Sequence, residues 1–460
     1  MHDLTTGSVS RHLLKTTSFM LVTMVFQTLY FLIDLYWVGR LGTHTVAAVG
    51  VAGNLNYITL ALSQMLGVGT TTLVAHAMGR KDRAEAQLSF NQSQVVAMLV
   101  GLLFLVVGMA VRHRYAAAMS ADAETAALAV SYLDWFIPAM ALQFALVAMS
   151  AALRGAGSFK PGMVVSTVTI VINMVLAPFL IFGWGTGRRY GVVGAAMSTF
   201  VAVLVGVVWL TTYFVGRRAP VHFALSDWRP RLGVWRRLLG IGLPSGYEFA
   251  LMGVQLFVVY SLTRPFGAAA QAGFGIGMRV VQSGIMPVIA LGFSVAPVAG
   301  QNFGARLPER VRRTFRDAAV ISAVVMLLFT VLCQLAPARL VGVFSDDPEA
   351  VRVGEVYLRI VSLTFVCSGL VFVTSSMFQA MGNTVPSLFT STVRIVISAL
   401  PAVLLSRHPA FELRWIWWLS VLSVVVQLGL ALLLLRREFA RRLNFGVETD
   451  RPAVGETVTA

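Results

Sequence analysis

The sequence predicts an all-α polytopic membrane protein with twelve transmembrane helices in two parallel, pseudo-symmetric six-helix lobes. Three observations carry that prediction. Of 460 residues, 57% are hydrophobic and only 12% charged, with a mean hydropathy of +0.77, about half the charge expected of a soluble chain. Apolar windows of about 20 residues recur along the whole length, each long enough to cross a ~30 Å hydrocarbon core as a helix. The chain also matches itself at one constant, ungapped offset.

The windows centre near residues 27, 62, 100, 140, 172, 204, 250, 286, 325, 365, 396 and 424. The segment before the first (MHDLTTGSVSRHLLK) lacks a small-residue cleavage site, so the first window is read as a retained helix and not a signal peptide. Cys333 and Cys367 fall inside windows and imply no disulfide framework. Net charge +16 raises the question of nucleic acid, but the basic residues sit in short clusters between windows without interleaved aromatics, which excludes that reading. With the N-terminus in the cytoplasm, 23 of the 36 Lys and Arg lie on the inner side, Arg154 among them, and 10 in outer loops, Arg112 among them. That bias predicts both termini cytoplasmic.

The segment RRAPVHFALSDWRPRLGVWRR (217–237) divides six windows from six. Across it, AAVGVA (47–52) meets AGFGIG (272–277), Gly67 and Gly79 meet Gly292 and Gly304, and ALRGAGSFKP (152–161) meets MFQAMGNTVP (377–386), all 225 residues apart (292 − 67, 304 − 79). An even number of spans per half makes the repeats parallel about an axis along the membrane normal, an architecture known among transporters. The expected organisation is an N-terminal lobe (1–216), a cytoplasmic linker (217–237), a C-terminal lobe (238–436) and a cytoplasmic tail (437–460). The matched residues are mostly Gly, Pro and Ala, which set close packing and bends, so the repeat records shape.

The ionisable residues break the repeat. Asp34 in FLIDLYWVGR meets Val259, Glu248 in GLPSGYEFALM meets Thr23, and Arg394 in STVRIVISALP meets Thr169. An ionisable group at the bilayer centre costs roughly 2.5–3.5 kcal/mol on insertion scales, and a group serving only the shared scaffold should recur in both lobes. A carboxyl held away from water exchanges a proton, or takes a sodium ion, at modest cost, which an ion-coupled carrier requires; the alternative is an Asp bonded to a neighbouring helix for packing. Gln27, two turns before Asp34 on the same face, extends a polar stripe. Glu248 and Arg394 are candidates for the substrate path, with pairing to each other inside the second lobe as one alternative. Asp134 and Arg359 occupy equivalent positions and suggest a salt bridge between the lobes. There is no Walker-type loop for ATP, no HExxH or nucleophile elbow, and no histidine pair at metal-ligand spacing.

FLIDLYWVGRLG…AAVG (31–50), the YL-x-W start of span 4, LRGAGSFKP (153–161), INMVLAP (172–178) and GQNFGA (300–305) resemble the MATE family of multidrug and toxic compound extruders. The likeness covers residues 10–440 and is nearest the prokaryotic DinF-like branch, which often carries LPSG-x-E as at 243–248. It implies a V of two six-helix lobes, alternating access, and export driven by a proton or sodium gradient. It further implies that Asp34, Asn173 and Thr199 handle the coupling cation, with Gln27 and Tyr132 in the same polar cluster. Where the family reads N-x-x-x-D-P, this chain has Asn173 through Ala177-Pro178, so a second acid is missing, and span 10 (363–382) carries none either. Sodium favours several hard, negatively charged oxygens, so the departure favours protons.

The expected function is a proton-coupled secondary antiporter, not an enzyme, that exports lipophilic, cationic or neutral organic compounds from the bacterial inner membrane. It is expected to act as a monomer with no cofactor beyond H⁺ or Na⁺. The alternatives are a lipid-linked oligosaccharide flippase of the same superfamily, disfavoured because deep basic residues are few (Arg394, Arg279), and an integral membrane lipid-modifying enzyme.

Overall fold

The computed structural model describes residues 3–185, 187–216, 219–409 and 411–445. Arg217, Arg218 and the tail after 445, all part of the expected linker and tail, lie outside the described residues. Among the described residues twelve spans form, and each predicted centre falls in a different one. The first six are α1 (Val9–Gly39), α2 (Thr43–Gly79), α3 (Arg83–Met119), α4 (Ala123–Gly155), α5 (Phe159–Phe182) and α6 (Val192–Val215). The second lobe holds α7 (Leu232–Thr263), α8 (Ala268–Gly304), α9 (Pro308–Leu335), the short α10 (Pro337–Gly342), α11 (Pro348–Val361), α12 (Phe365–Ala380), α13 (Val385–Leu405) and α14 (Leu413–Arg442). A 3₁₀ turn (Ser362–Thr364) joins α11 to α12, which together make the tenth span.

The repeat is written into helix ends. α2, α3 and α4 begin at 43, 83 and 123, while α8, α9 and α11 begin at 268, 308 and 348, each 225 residues on (268 − 43, 308 − 83, 348 − 123). Four helix C-termini close alike, with a left-handed residue at Lys81 (φ 60°), Arg306 (φ 56°), Gly157 (φ 73°) and Gly382 (φ 72°). In each, the next amide reaches back five residues: Asp82 to Ala77, Leu307 to Asn302, Ser158 to Leu153 and Asn383 to Phe378. These bonds satisfy carbonyls that a helix end otherwise orphans.

The lobes meet through α1 on α8 and α2 on α7, with α2 crossing α8. Contact at the end of the bundle that carries the described termini continues to mid-span, where Thr28 Oγ1 lies 3.7 Å from Met286 Sδ and Gly253 packs near the Tyr57 ring. From Met65 to Gly79, and from Val288 to Gly304, the helices are almost wholly buried, whereas the far half of α2 is largely exposed and that of α8 mostly half-buried. At the crossing, a Cβ on Gly79 would lie 2.0 Å from Gln301 O and one on Gly304 2.3 Å from His76 O. Only glycine lets the two backbones approach so closely. The segment between the lobes is clamped by two adjacent buried amides on α3. Asn91 bonds His222 O (3.0 Å), Ala224 N (3.1 Å) and Trp228 Nε1 (3.0 Å), and Gln92 bonds Asp227 O (2.5 Å), Arg229 O (2.8 Å), Arg231 N (2.9 Å) and Trp235 Nε1 (2.8 Å).

Two sequence expectations need correcting. Arg112 is helical, because α3 runs 37 residues, about 56 Å at 1.5 Å per residue and longer than the apolar core. Asp134 bonds this Arg112 at 2.6 Å, and Arg359 bonds Glu355 at 2.9 Å, one turn back, so each is paired within its own lobe and no bridge joins them. Arg154 sits in the last turn of α4, next to Gly155, which packs against Thr71 and Val74 of α2.

Candidate functional site: two unlike polar clusters

In the first lobe, Asp34 stands on α1, Asn173 on α5 and Thr199 on α6. Asn173 Nδ2 donates to Thr199 Oγ1 at 3.1 Å, and that hydroxyl is 3.4 Å from Tyr30 Oη. Tyr30 and Tyr132 both lie within electrostatic reach of the Asp34 carboxylate. Asn173 and Thr199 are buried at 4% and 7% exposure, and Tyr132 at 4%, so little water competes for these contacts. Asp34 Oδ1 and Asn173 Oδ1 are buried without a hydrogen-bond partner. Both are acceptors, and orphaned buried acceptors are rare and costly, about 1–3 kcal/mol each. The cluster therefore has room in its chemistry for a proton or a small cation and for nothing that only accepts.

Gln27 shares the Asp34 face of α1 but is exposed, and Tyr30, which the sequence reading missed, stands in the cluster instead. The signal was present: Tyr30 is three residues after Gln27 and four before Asp34, on one helical face. Ala177, where the family motif has an acid, packs in an apolar group with Tyr132, Phe136 and Ile181. No second carboxylate replaces it there.

The second lobe is built differently. Glu248 on α7 is ringed by serines: Ser387 Oγ donates to Oε2 at 2.8 Å, Ser391 Oγ to Oε1 at 2.9 Å, and Ser375 Oγ to Oε2 at 3.4 Å. Gln427 of α14 donates to Ser391 Oγ at 3.2 Å, so four helices converge on one carboxylate. Arg394 follows Ser391 by one turn and is an electrostatic neighbour of Glu248 and Tyr357, but its Nε is buried without a partner and no ion pair with Glu248 forms. The hydroxyl ring has taken the place of the pairing entertained from sequence. Ser387, Ser391 and Arg394, spaced i, i+4, i+7, were the legible sign that α13 turns a polar face inward.

The terminal-side contact completes the geometry. His76 Nε2 meets Ala380 O at 2.6 Å, Thr72 Oγ1 donates to Gln379 O at 3.0 Å, and Gln301 Nε2 donates to Gly155 O at 2.8 Å. The first and last of these are the same contact repeated by the pseudo-twofold (301 − 76 and 380 − 155 both equal 225). These bonds seal the lobes together at the terminal end.

Comparison with known proteins agrees with this architecture. The MatE family model matches residues 20–179 and 244–404. The chain is 24% identical over 418 residues to the multidrug export protein MepA of Staphylococcus haemolyticus, covering 90% of each chain. It is also 24% identical over 369 residues to MepA of Staphylococcus aureus, covering 79% of this chain and 80% of that one. Among solved structures, one described as an outward-facing conformation of a multidrug resistance MATE family transporter of the MOP superfamily superposes with a TM-score of 0.88. Its identity is 25%, with 95% of this chain and 97% of the other covered. A MATE structure in a straight conformation gives the same TM-score and identity over 95% and 98% of the two chains. A lipid-modifying enzyme is thereby set aside: with matched segments in both lobes and twelve spans among the described residues, the chain belongs to the MatE family of multi-pass membrane transporters, which are not enzymes.

Proposed function

We propose that the protein is a proton-coupled antiporter of the bacterial inner membrane, both termini cytoplasmic, that exports lipophilic cationic or neutral organic compounds by alternating access. The observation that carries this reading is the pair of orphaned acceptors, Asp34 Oδ1 and Asn173 Oδ1, in a site lined by the hydroxyls of Thr199, Tyr30 and Tyr132. A proton satisfies a lone carboxylate completely. Sodium, which takes several hard oxygens and gains from a second negative charge, is the poorer fit because Ala177 supplies neither. Protonation and release at Asp34 bias two access states by their differential affinity. Glu248 and Arg394 face the substrate path from the second lobe, the acid favouring cationic cargo. The relatives named as multidrug exporters support the drug-like cargo.

Dye efflux from proteoliposomes under an imposed pH or Na⁺ gradient tests the reading, with Asp34→Asn in parallel. The wild type should respond to the pH gradient alone, and Asp34→Asn should lose at least ~10-fold of that response while keeping its fold, the loss of one charge-assisted contact. Equal transport by the variant under both gradients would show that Asp34 does not couple.

A further inference from the structure

A second polar site lies between the lobes, on the pseudo-twofold axis itself. A small cavity of about 10 Å³ is lined by Val68 and Phe293, by Thr71 and Ala296, and by Arg154 and Gln379. Each pair is related by the repeat (293 − 68, 296 − 71 and 379 − 154 all equal 225), so the cavity is centred where the lobes exchange. Gly67 and Gln64 close it. Symmetry holds for shape and fails for charge, since Arg154 is the cation and its mate Gln379 is neutral.

The guanidinium of Arg154 makes no hydrogen bond and no ion pair within the described residues; its one directed contact is the Phe293 ring across the lobe boundary, 6.0 Å from its centroid. No carboxylate lines the cavity. The backbone carbonyl of Gln379 is already taken by Thr72 and that of Ala151 by Thr71, while the side-chain amides of Gln64 and Gln379 are uncommitted. An arginine presents five N–H donors in a fixed fork and no acceptor. The cavity therefore offers donors from both lobes, one full positive charge, and the space of about one water or one small ion. Arg154 is half-buried, so its cavity can be reached by small solutes, and no carboxylate of the cavity offsets its charge.

We propose that a halide-sized inorganic anion, chloride under ordinary conditions, binds at Arg154 and holds the two lobes in their sealed arrangement. An anion bridging a cation on α4 and amides on α2 and α12 contacts both lobes only while they are closed on it. It therefore stabilises this access state by mass action and is released when the terminal side opens. The proposal is independent of which ion loads Asp34.

Purified transporter is melted in chloride, bromide or gluconate at constant ionic strength; gluconate is too large for the cavity. A saturable rise in Tm is expected with chloride and bromide and not with gluconate. Arg154→Gln should weaken the apparent halide affinity about tenfold or more, as expected for loss of charge-assisted contacts, and Arg279→Gln, on an exposed arginine of α8, should leave it unchanged. Equal melting in chloride and gluconate, or an undiminished halide response in Arg154→Gln, would overturn the site. Should Arg154→Gln fail to fold, crystals of the wild type grown in bromide decide: an anomalous peak beside Arg154 supports the proposal, and its absence refutes it.

Discussion

At the residue scale, Thr199 is the hinge of the first-lobe cluster, because a single hydroxyl receives Asn173 Nδ2 and approaches Tyr30 Oη while its own proton goes back to Ala195 O at 3.2 Å. Thr199→Val keeps the shape and removes that acceptor. The amide of Asn173 is then left without its partner, at a cost of about 1–3 kcal/mol. The expected outcome is a lower Tm together with a several-fold fall in pH-driven efflux, and unchanged efflux would place the cluster outside the coupling path. The sequence alone marked Asp34 through its failure to repeat. It marked neither Tyr30 nor Arg154, because a tyrosine on an apolar helix and an arginine at a helix end both have ordinary explanations until the neighbouring helices are in place.

At the scale of elements, the α2–α8 crossing depends on glycine at 79 and 304, each set against the other helix's backbone. Gly79→Val places a branched side chain where the Gln301 carbonyl already sits. Overpacking of this kind costs about 1–3 kcal/mol; here the lobes have a second way to relieve it, by separating at that end. The variant should therefore expose cysteines placed on the terminal side to a membrane-impermeant thiol reagent faster than the wild type does. Unaltered labelling with only a lowered Tm would mean that the crossing is scaffold and not gate. The sequence located the spans by their centres and not their ends, although the structure shows local start signals, Asp82 and Asp122 capping α3 and α4 and Pro308 and Pro348 opening α9 and α11. The extent of α3 was not legible, because helix propensity does not stop where the hydrocarbon does.

For the whole molecule, the sealed end is held by polar bonds beside apolar packing of Met65, Leu66 and Val68 on α2 against Val234, Leu238 and Ile241 on α7, and the access equilibrium should move when the polar bonds are removed. Gln301 ties three parts together: its Nε2 donates to Gly155 O at 2.8 Å in the first lobe, and its Oε1 accepts from Leu4 N at 3.2 Å in the N-terminal segment. Thr72→Ala with Gln301→Ala removes bonds worth about 1 kcal/mol each, enough to shift a two-state population roughly tenfold or more toward opening. Distances between spin labels on the terminal side should report a new, wider population; a single unchanged distance would mean that apolar packing alone sets the state. Composition, window length and the 225-residue register determined by themselves that this chain spans a membrane twelve times as two copies of one lobe, because hydrophobic length and helix-ending residues act locally. Which acid stands unpaired, which is sheathed in serines, and where an arginine is trapped on the axis were decided only by tertiary packing. Those properties belong to groups far apart in the chain, and electrostatic environment exists only once they have met.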